Sequence, residues 1–77
     1  MTLENLKPVI AETLPNCDAE SVTLDARLIP EVCKDSLDTV ELSMALEDKF
    51  GVNVPDDLMA TFGTVADLIA YMSENGV

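Results

Sequence analysis

Apolar residues recur along the chain at the three- and four-residue spacing that is typical of amphipathic helices. The first stripe predicts a helix over residues 3–14, with Thr2 as its N-cap. Pro8 falls inside this helix, where it removes a backbone donor and clashes with the preceding turn, so a kink or a late helix start is expected. The stripe itself consists of Leu3, Leu6, Ile10 and Leu14.

A second predicted helix, over residues 36–50, carries two apolar stripes. Asp35 is its expected N-cap, and Gly51 suits the left-handed position after its end. On a helical wheel at about 100° per residue, one stripe is predicted to face the core, and its members are Leu42, Leu46 and Phe50. The other lies roughly opposite, beside Glu41, Glu47 and Asp48, and its members are Leu37, Val40 and Met44.

A thin bundle can hardly bury both stripes of this helix, so we expect the acid-flanked one to be at least partly exposed. An apolar strip with a charged rim is typical of a protein-binding face. The wheel leaves open the alternative that the acids form an ordinary solvated face. Ser36, in the first turn, also has two interpretations, and spacing alone favours a structural role, because serine is a common residue at helix starts.

The remaining elements are a long connection and two further helices. The connection covers residues 16–34 without a helical period, and four of its apolar residues could pin it to the core: Val22, Leu24, Leu28 and Ile29. A short helical turn is predicted after Pro55, and a last helix over residues 65–73 begins with a Thr64/Asp67 capping box. Its apolar face consists of Val65, Leu68, Ile69 and Met72.

These elements predict an all-α fold. The expected architecture is a small bundle of three main helices plus one short helix, with the long connection between the first and second. At 77 residues, we expect a single domain over residues 1–77 with one small core.

The charge balance narrows the choice of partners. The chain has 15 acidic residues against 4 basic ones, for a net charge of -11. This charge repels nucleic acid and anionic membrane surfaces, and it favours a basic protein surface as partner. The sequence shows no signal peptide and no apolar run long enough for a membrane span. A cytoplasmic location is therefore expected, with Cys17 and Cys33 as free thiols.

The missing residue types argue against an enzyme. There is no histidine, so a Ser-His-Asp triad and histidine-bearing zinc sites are excluded. Two separated cysteines do not make a structural zinc site, and no glycine-rich phosphate loop is present. We therefore expect neither catalytic residues nor a metal site.

One motif carries a strong resemblance to a known family. The octamer "DSLDTVEL", residues 35–42, resembles the signature of acyl carrier proteins of type II (dissociated) fatty-acid synthesis, which belong to the phosphopantetheine-binding carriers. The similarity continues in order through "MALEDKFGV", "VP", "TV" and "LIAYM", so it covers nearly the whole chain.

The resemblance implies that Ser36 carries 4'-phosphopantetheine, transferred from coenzyme A by a phosphopantetheinyl transferase, and that the arm's thiol holds acyl chains as thioesters. It also implies that fatty-acid synthesis enzymes bind this chain through basic docking patches. The face that they would contact consists of Asp35, Leu37, Asp38, Val40, Glu41, Met44, Glu47, Asp48, Val54 and Asp56. It also implies a pocket for the acyl chain, lined by Leu28, Leu42, Leu46, Val54, Phe62 and Leu68. A monomer is expected.

The chain departs from the family pattern at several positions. Cys33 stands where glycine is usual, Lys34 where a small residue is common, and Leu28 and Phe62 replace the usual phenylalanine and isoleucine. Pro8 is also unusual. These departures leave the resemblance to a carrier intact, but they leave open a specialised carrier for polyketide or other acyl-modifying chemistry. From a different class of function, the alternative is a small acidic interaction module whose serine is not modified.

Overall fold

The computed structural model describes residues 1–77 and consists of helices joined by loops, with no strand. Two short helical turns, Ala19–Ser21 and Leu28–Val32, lie in the connection between the first two helices. The all-α prediction of three main helices and a short one is confirmed. The four helices are α1 (Leu3–Thr13), α2 (Ser36–Phe50), α3 (Asp56–Thr61) and α4 (Val65–Glu74).

Helix α1 begins where the sequence predicts, because the backbone N–H of Asn5 donates to Thr2 Oγ1 at 3.3 Å. The late start suggested by Pro8 is wrong, since the helix runs from Leu3 to Thr13 with Pro8 inside it. A proline at this position removes the donor that would bond to the carbonyl of Glu4. Both Glu4 and Pro8 are exposed, so water can replace the missing donor.

The ends of α2 and α4 follow their local sequence. Gly51 adopts the left-handed conformation at φ 72°, and its N–H donates to the carbonyl of Glu47 at 2.8 Å, which ends α2. At the start of α4, Asp67 Oδ2 accepts from the N–H groups of Gly63 and Thr64 at 2.9 and 3.2 Å. This is the role that the predicted capping box gives to Asp67.

The core is built from the predicted stripes of the helices. Burial of these side chains supplies most of the stability of a chain this small, at about 25 cal/mol per Å² of apolar surface. Of the stripes predicted to face the core, Leu3, Phe50 and Ile69 are only partly buried, and the other members are buried. The completely buried side chains include Leu6, Ile10, Leu42, Leu46, Met59, Val65, Leu68 and Met72.

The connection between α1 and α2 is anchored differently from the prediction. Val22 and Leu28 are buried as expected, but Leu24 and Ile29 are exposed, so their assignment to the core is wrong. Backbone pairing with the start of α4 takes their place. The N–H of Val65 donates to the carbonyl of Ala26 at 2.9 Å, and two neighbouring bonds join Ala66 to Leu24 and Leu28 to Gly63.

Candidate functional site

Ser36 is the first residue of α2, and its side chain is exposed. The residue before it forms the helix cap: Asp35 Oδ1 accepts from the N–H groups of Leu37 and Asp38 at 3.1 and 3.2 Å. The carbonyl of Ser36 accepts from Thr39 Oγ1 at 2.6 Å, while its hydroxyl has no partner within the protein. The hydroxyl is therefore open to solvent at the positive end of the helix dipole.

The segment before Ser36 is anchored to the core by Cys33. Cys33 is completely buried, and its N–H donates to the carbonyl of Leu28 at 2.8 Å. Burial, with the nearby charge of Asp38 adding to it, raises the pKa of the Cys33 thiol to about 12. Cys33 is thus a neutral packing group. Cys17 is also free, and it is half-exposed.

The exposed side of α2 forms a strip that we call the acidic strip, consisting of Leu37, Glu41, Met44, Glu47 and Asp48. Its two large apolar side chains, Leu37 and Met44, are 64% and 66% exposed. Val40, beside them, is half-buried. The prediction that the second apolar stripe of this helix is exposed is therefore confirmed.

Three other residues predicted for partner binding lie in different settings. Asp56 is exposed at the first position of α3. Asp38 is half-buried, and its Oδ2 accepts from the N–H of Lys34 at 2.8 Å. Val54 is completely buried, so assigning its side chain to the partner face is wrong. The reason is that the loop after α2 folds inward, where the carbonyl of Val54 accepts from the hydroxyl of Ser43.

The residues predicted to line an acyl pocket lie together in the core. Phe62 differs from the rest because it is partly exposed, and its ring lies 5.8 Å from the ring of Tyr71, centroid to centroid. None of the surface cavities is lined by any residue of this set. The core is therefore closed. The completely buried members are Leu28, Leu42, Leu46, Val54 and Leu68.

Two buried polar residues of α2 were not predicted from the sequence. Thr39 and Ser43 lie on the same side as Leu42 and Leu46, and each hydroxyl donates to a backbone carbonyl. Each lies three residues before a core leucine, Thr39 before Leu42 and Ser43 before Leu46, and this spacing was the available signal. A search for apolar residues alone overlooks it.

The helices give no indication of a membrane span, since none combines the required length with the required apolarity.

Comparison with known proteins identifies the chain by its sequence. A family model described as "Phosphopantetheine attachment site" matches residues 4–72.

Three similar curated proteins bear the name acyl carrier protein. The protein from Helicobacter acinonychis (strain Sheeba) is 44% identical over 72 residues, which covers 94% of this chain and 91% of the relative. Its counterpart in Helicobacter pylori (strain G27) is 46% identical with the same coverage. The protein of Helicobacter hepaticus (strain ATCC 51449 / 3B1) is 43% identical over 74 residues, or 96% of each chain. The chain therefore belongs to the acyl carrier protein family.

Proposed function

We propose that this chain carries acyl groups as thioesters on a 4'-phosphopantetheine arm attached to Ser36. Family membership provides the carrier role in fatty-acid synthesis and the covalent 4'-phosphopantetheine, and it makes the chain a carrier and not an enzyme. The observation that supports Ser36 is its exposed hydroxyl, free of protein partners, at the first position of α2.

The surroundings of Ser36 fit a phosphodiester at this position. The positive end of the α2 dipole favours a negatively charged group there. Asp35 does not oppose it fully, because its Oδ1 is turned back to the N–H groups of the first helical turn. When bound, the arm supplies the thiol that holds the acyl group. The residues of this chain supply the attachment point and the surface that partner enzymes contact.

Intact-mass measurement tests the attachment site. The unmodified protein is incubated with coenzyme A and a phosphopantetheinyl transferase, and wild type is expected to gain the mass of one phosphopantetheine. Ser36→Ala should gain nothing. Ser21→Ala is the matched control, because Ser21 is also exposed but lies outside α2, where its Oγ donates to Asp18 at 2.7 Å. A full mass gain in Ser36→Ala would refute the assignment.

Partner enzymes are proposed to dock on the acidic strip through basic patches of their own. Leu37 and Met44 offer apolar area that no other part of the chain covers. The neighbouring carboxylates supply the charge that attracts a basic surface and orients it. The phosphopantetheinyl transferase and acyl-transfer enzymes of fatty-acid synthesis are the proposed partners, with Asp35 and Asp56 at the ends of the contact.

The acyl chain is proposed to enter the core beside Leu42 and Leu46. Because the core is closed, side chains must move to admit it, and methionines such as Met59 and Met72 are well suited to such rearrangement. Each buried methylene contributes about 0.8 kcal/mol, less the cost of opening the packing. Phe62, at the partly exposed edge, would limit the length of chain that is covered.

A melting series on Ser36-linked forms tests this shelter. Carriers with the free thiol, with acetyl and with longer saturated chains are compared. A two-carbon acetyl should change the melting temperature little, whereas a chain of about six carbons should raise it, because the gain grows with each buried methylene. Melting temperatures that do not change with chain length, with no NMR shift at Leu42, Leu46 or Phe62, would place the chain in solvent.

We further propose that residues 1–77 form one domain and that the protein acts as a cytoplasmic monomer. The helices share one cluster of buried apolar side chains, which supports a single domain. The net charge of -11 makes copies repel one another, which supports the monomer. Sedimentation at low and high salt tests the latter, and a dimer at both salt concentrations would contradict it.

A further inference from the structure

The turn before α2 is held by two carboxylates that act reciprocally. Asp35 Oδ1 accepts from the N–H groups of Leu37 and Asp38, and Asp38 Oδ2 accepts from the N–H of Lys34 at 2.8 Å. Each carboxylate thus reaches past Ser36 to backbone on its other side. We infer that Asp38 is a positioning residue, whose carboxylate fixes this turn and thereby the direction in which Ser36 presents its hydroxyl to the modifying enzyme.

The position of the bond explains why it matters. On one side of Lys34, Cys33 is fixed by complete burial and by its bond to Leu28. On the other side, Asp35 is tied to the first turn of the helix. The peptide group between Cys33 and Lys34 remains, and its N–H is the donor that Asp38 accepts. The bond from Asp38 therefore removes the freedom that the two anchors leave.

Asp38 differs in this respect from the acids of the acidic strip. The Asp38 side chain is half-buried and bonded to backbone, whereas the Glu41 carboxylate, one turn later, is exposed and accepts no hydrogen bond within the protein. The Glu41 carboxylate is therefore free to act on a partner. At Asp38 a carboxylate oxygen accepts a hydrogen bond from the backbone of the same chain, and a neutral amide oxygen can accept the same bond.

Two pairs of variants separate these roles in the transferase reaction. Asp38→Asn keeps an acceptor oxygen and loses the charge, while Asp38→Ala loses both. Asp38→Asn is expected to retain kcat within about threefold, and Asp38→Ala to lose about tenfold or more in kcat, because a small misplacement of a reacting group can cost up to about a hundredfold. The control pair, Glu41→Gln and Glu41→Ala, should raise KM by equal factors, as expected for lost charge.

Equal losses in Asp38→Asn and Asp38→Ala would overturn the inference and leave Asp38 a charge contact. Amide hydrogen exchange on the wild type provides a test that does not depend on whether a variant folds. The Lys34 amide lies before the helix, yet it should exchange at least about tenfold more slowly than an open peptide. An unprotected Lys34 amide would also overturn the inference.

The kinetic arm of this inference rests on the proposed attachment at Ser36, and the two failures can be told apart. If wild type gains no phosphopantetheine, the attachment site is wrong, and the exchange rate of the Lys34 amide still decides whether Asp38 holds the turn. If wild type is modified normally but Asp38→Asn and Asp38→Ala behave alike, the attachment site stands and the positioning role is wrong.

Discussion

The two sides of α2 differ in whether their side chains have partners within the chain. On the buried side, each side chain has a partner within the chain, either apolar packing or a carbonyl that accepts its hydroxyl. On the acidic strip, leucine and methionine lie open among carboxylates. Residue type alone therefore does not separate the side chains that stabilise the fold from those that a partner can contact, whereas position on the helix does. The buried side consists of Thr39, Leu42, Ser43 and Leu46.

The largest expected difference between the two sides lies in the cost of removing an apolar side chain. Leu46→Ala should lower the free energy of unfolding by about 2–5 kcal/mol, because Leu46 is completely buried and a cavity remains. Met44→Ala, on the acidic strip, should change it by less than about 0.5 kcal/mol. Urea unfolding followed by circular dichroism measures both.

The same pair should reverse its order in partner binding. Met44→Ala is expected to weaken binding to a phosphopantetheinyl transferase, since Met44 offers exposed apolar area at the centre of the acidic strip. Equal losses of stability in the two variants, or unchanged binding of Met44→Ala, would contradict the proposal that one side of α2 stabilises the fold and the other binds partners.

The buried hydroxyl of Ser43 gives the next largest effect. Ser43→Ala removes the donor to the carbonyl of Val54 and leaves that carbonyl unpaired in the core, which should cost about 1–3 kcal/mol. Ser21→Ala is the control, because Ser21 is exposed and its loss should cost less than about 0.5 kcal/mol. If unfolding in urea gave the same small change for both, the Ser43 bond would not stabilise the core.

The helices and the acidic strip could be predicted because they depend on local sequence. Asp35 caps the N–H groups two and three residues ahead, and Gly51 adopts the left-handed conformation that ends the helix directly before it. The two stripes of α2 follow from helical geometry alone. The helices can therefore be predicted from the sequence, and the octamer around Ser36 indicates the family.

The rest depends on residues that are distant in sequence. The exposure of Leu24 follows from the pairing of the connection with the start of α4, where Ala66 donates to its carbonyl. No local pattern contains that information. Val54 is apolar in a short loop, and only the packing of α2 against that loop decides its direction. For Asp38, the residue type alone does not indicate whether its carboxylate bonds to the backbone of Lys34 or contacts a partner.

Cys33 extends the buried side beyond the helix and provides a pH-dependent effect. Burial raises the pKa of this thiol from 9.0 to about 12, so the folded chain keeps a proton that the unfolded chain loses. Its contribution to stability is complete below about pH 9 and is lost as the pH rises toward about 12, with a slope of at most about 1.4 kcal/mol per pH unit.

Urea unfolding at about pH 8 and about pH 10.5 measures the effect of Cys33. Wild type should lose more stability over this interval than Cys33→Ala, which has no thiol to titrate. Cys17→Ala, the control, should keep most of the wild-type slope, since Cys17 is half-exposed and the pKa of its thiol is raised mainly by partial burial. Parallel pH profiles for wild type and Cys33→Ala would contradict the prediction.

The smallest expected effect on stability comes from the charges of the acidic strip. Glu41 is exposed and unpaired, so Glu41→Lys should change the free energy of unfolding by less than about 0.5 kcal/mol. The association rate with a transferase should nevertheless fall severalfold at low salt, because rim charges steer the encounter of two proteins. At about 1 M salt, where the screening length is about 3 Å, the difference from wild type should vanish. Glu4→Lys is the matched control, since it makes the same change in net charge on the exposed surface of α1. Stopped-flow measurements across a salt series distinguish the outcomes: equal slowing by both variants would assign the effect to net charge, and rates indifferent to salt and substitution would remove charge from the docking of this face.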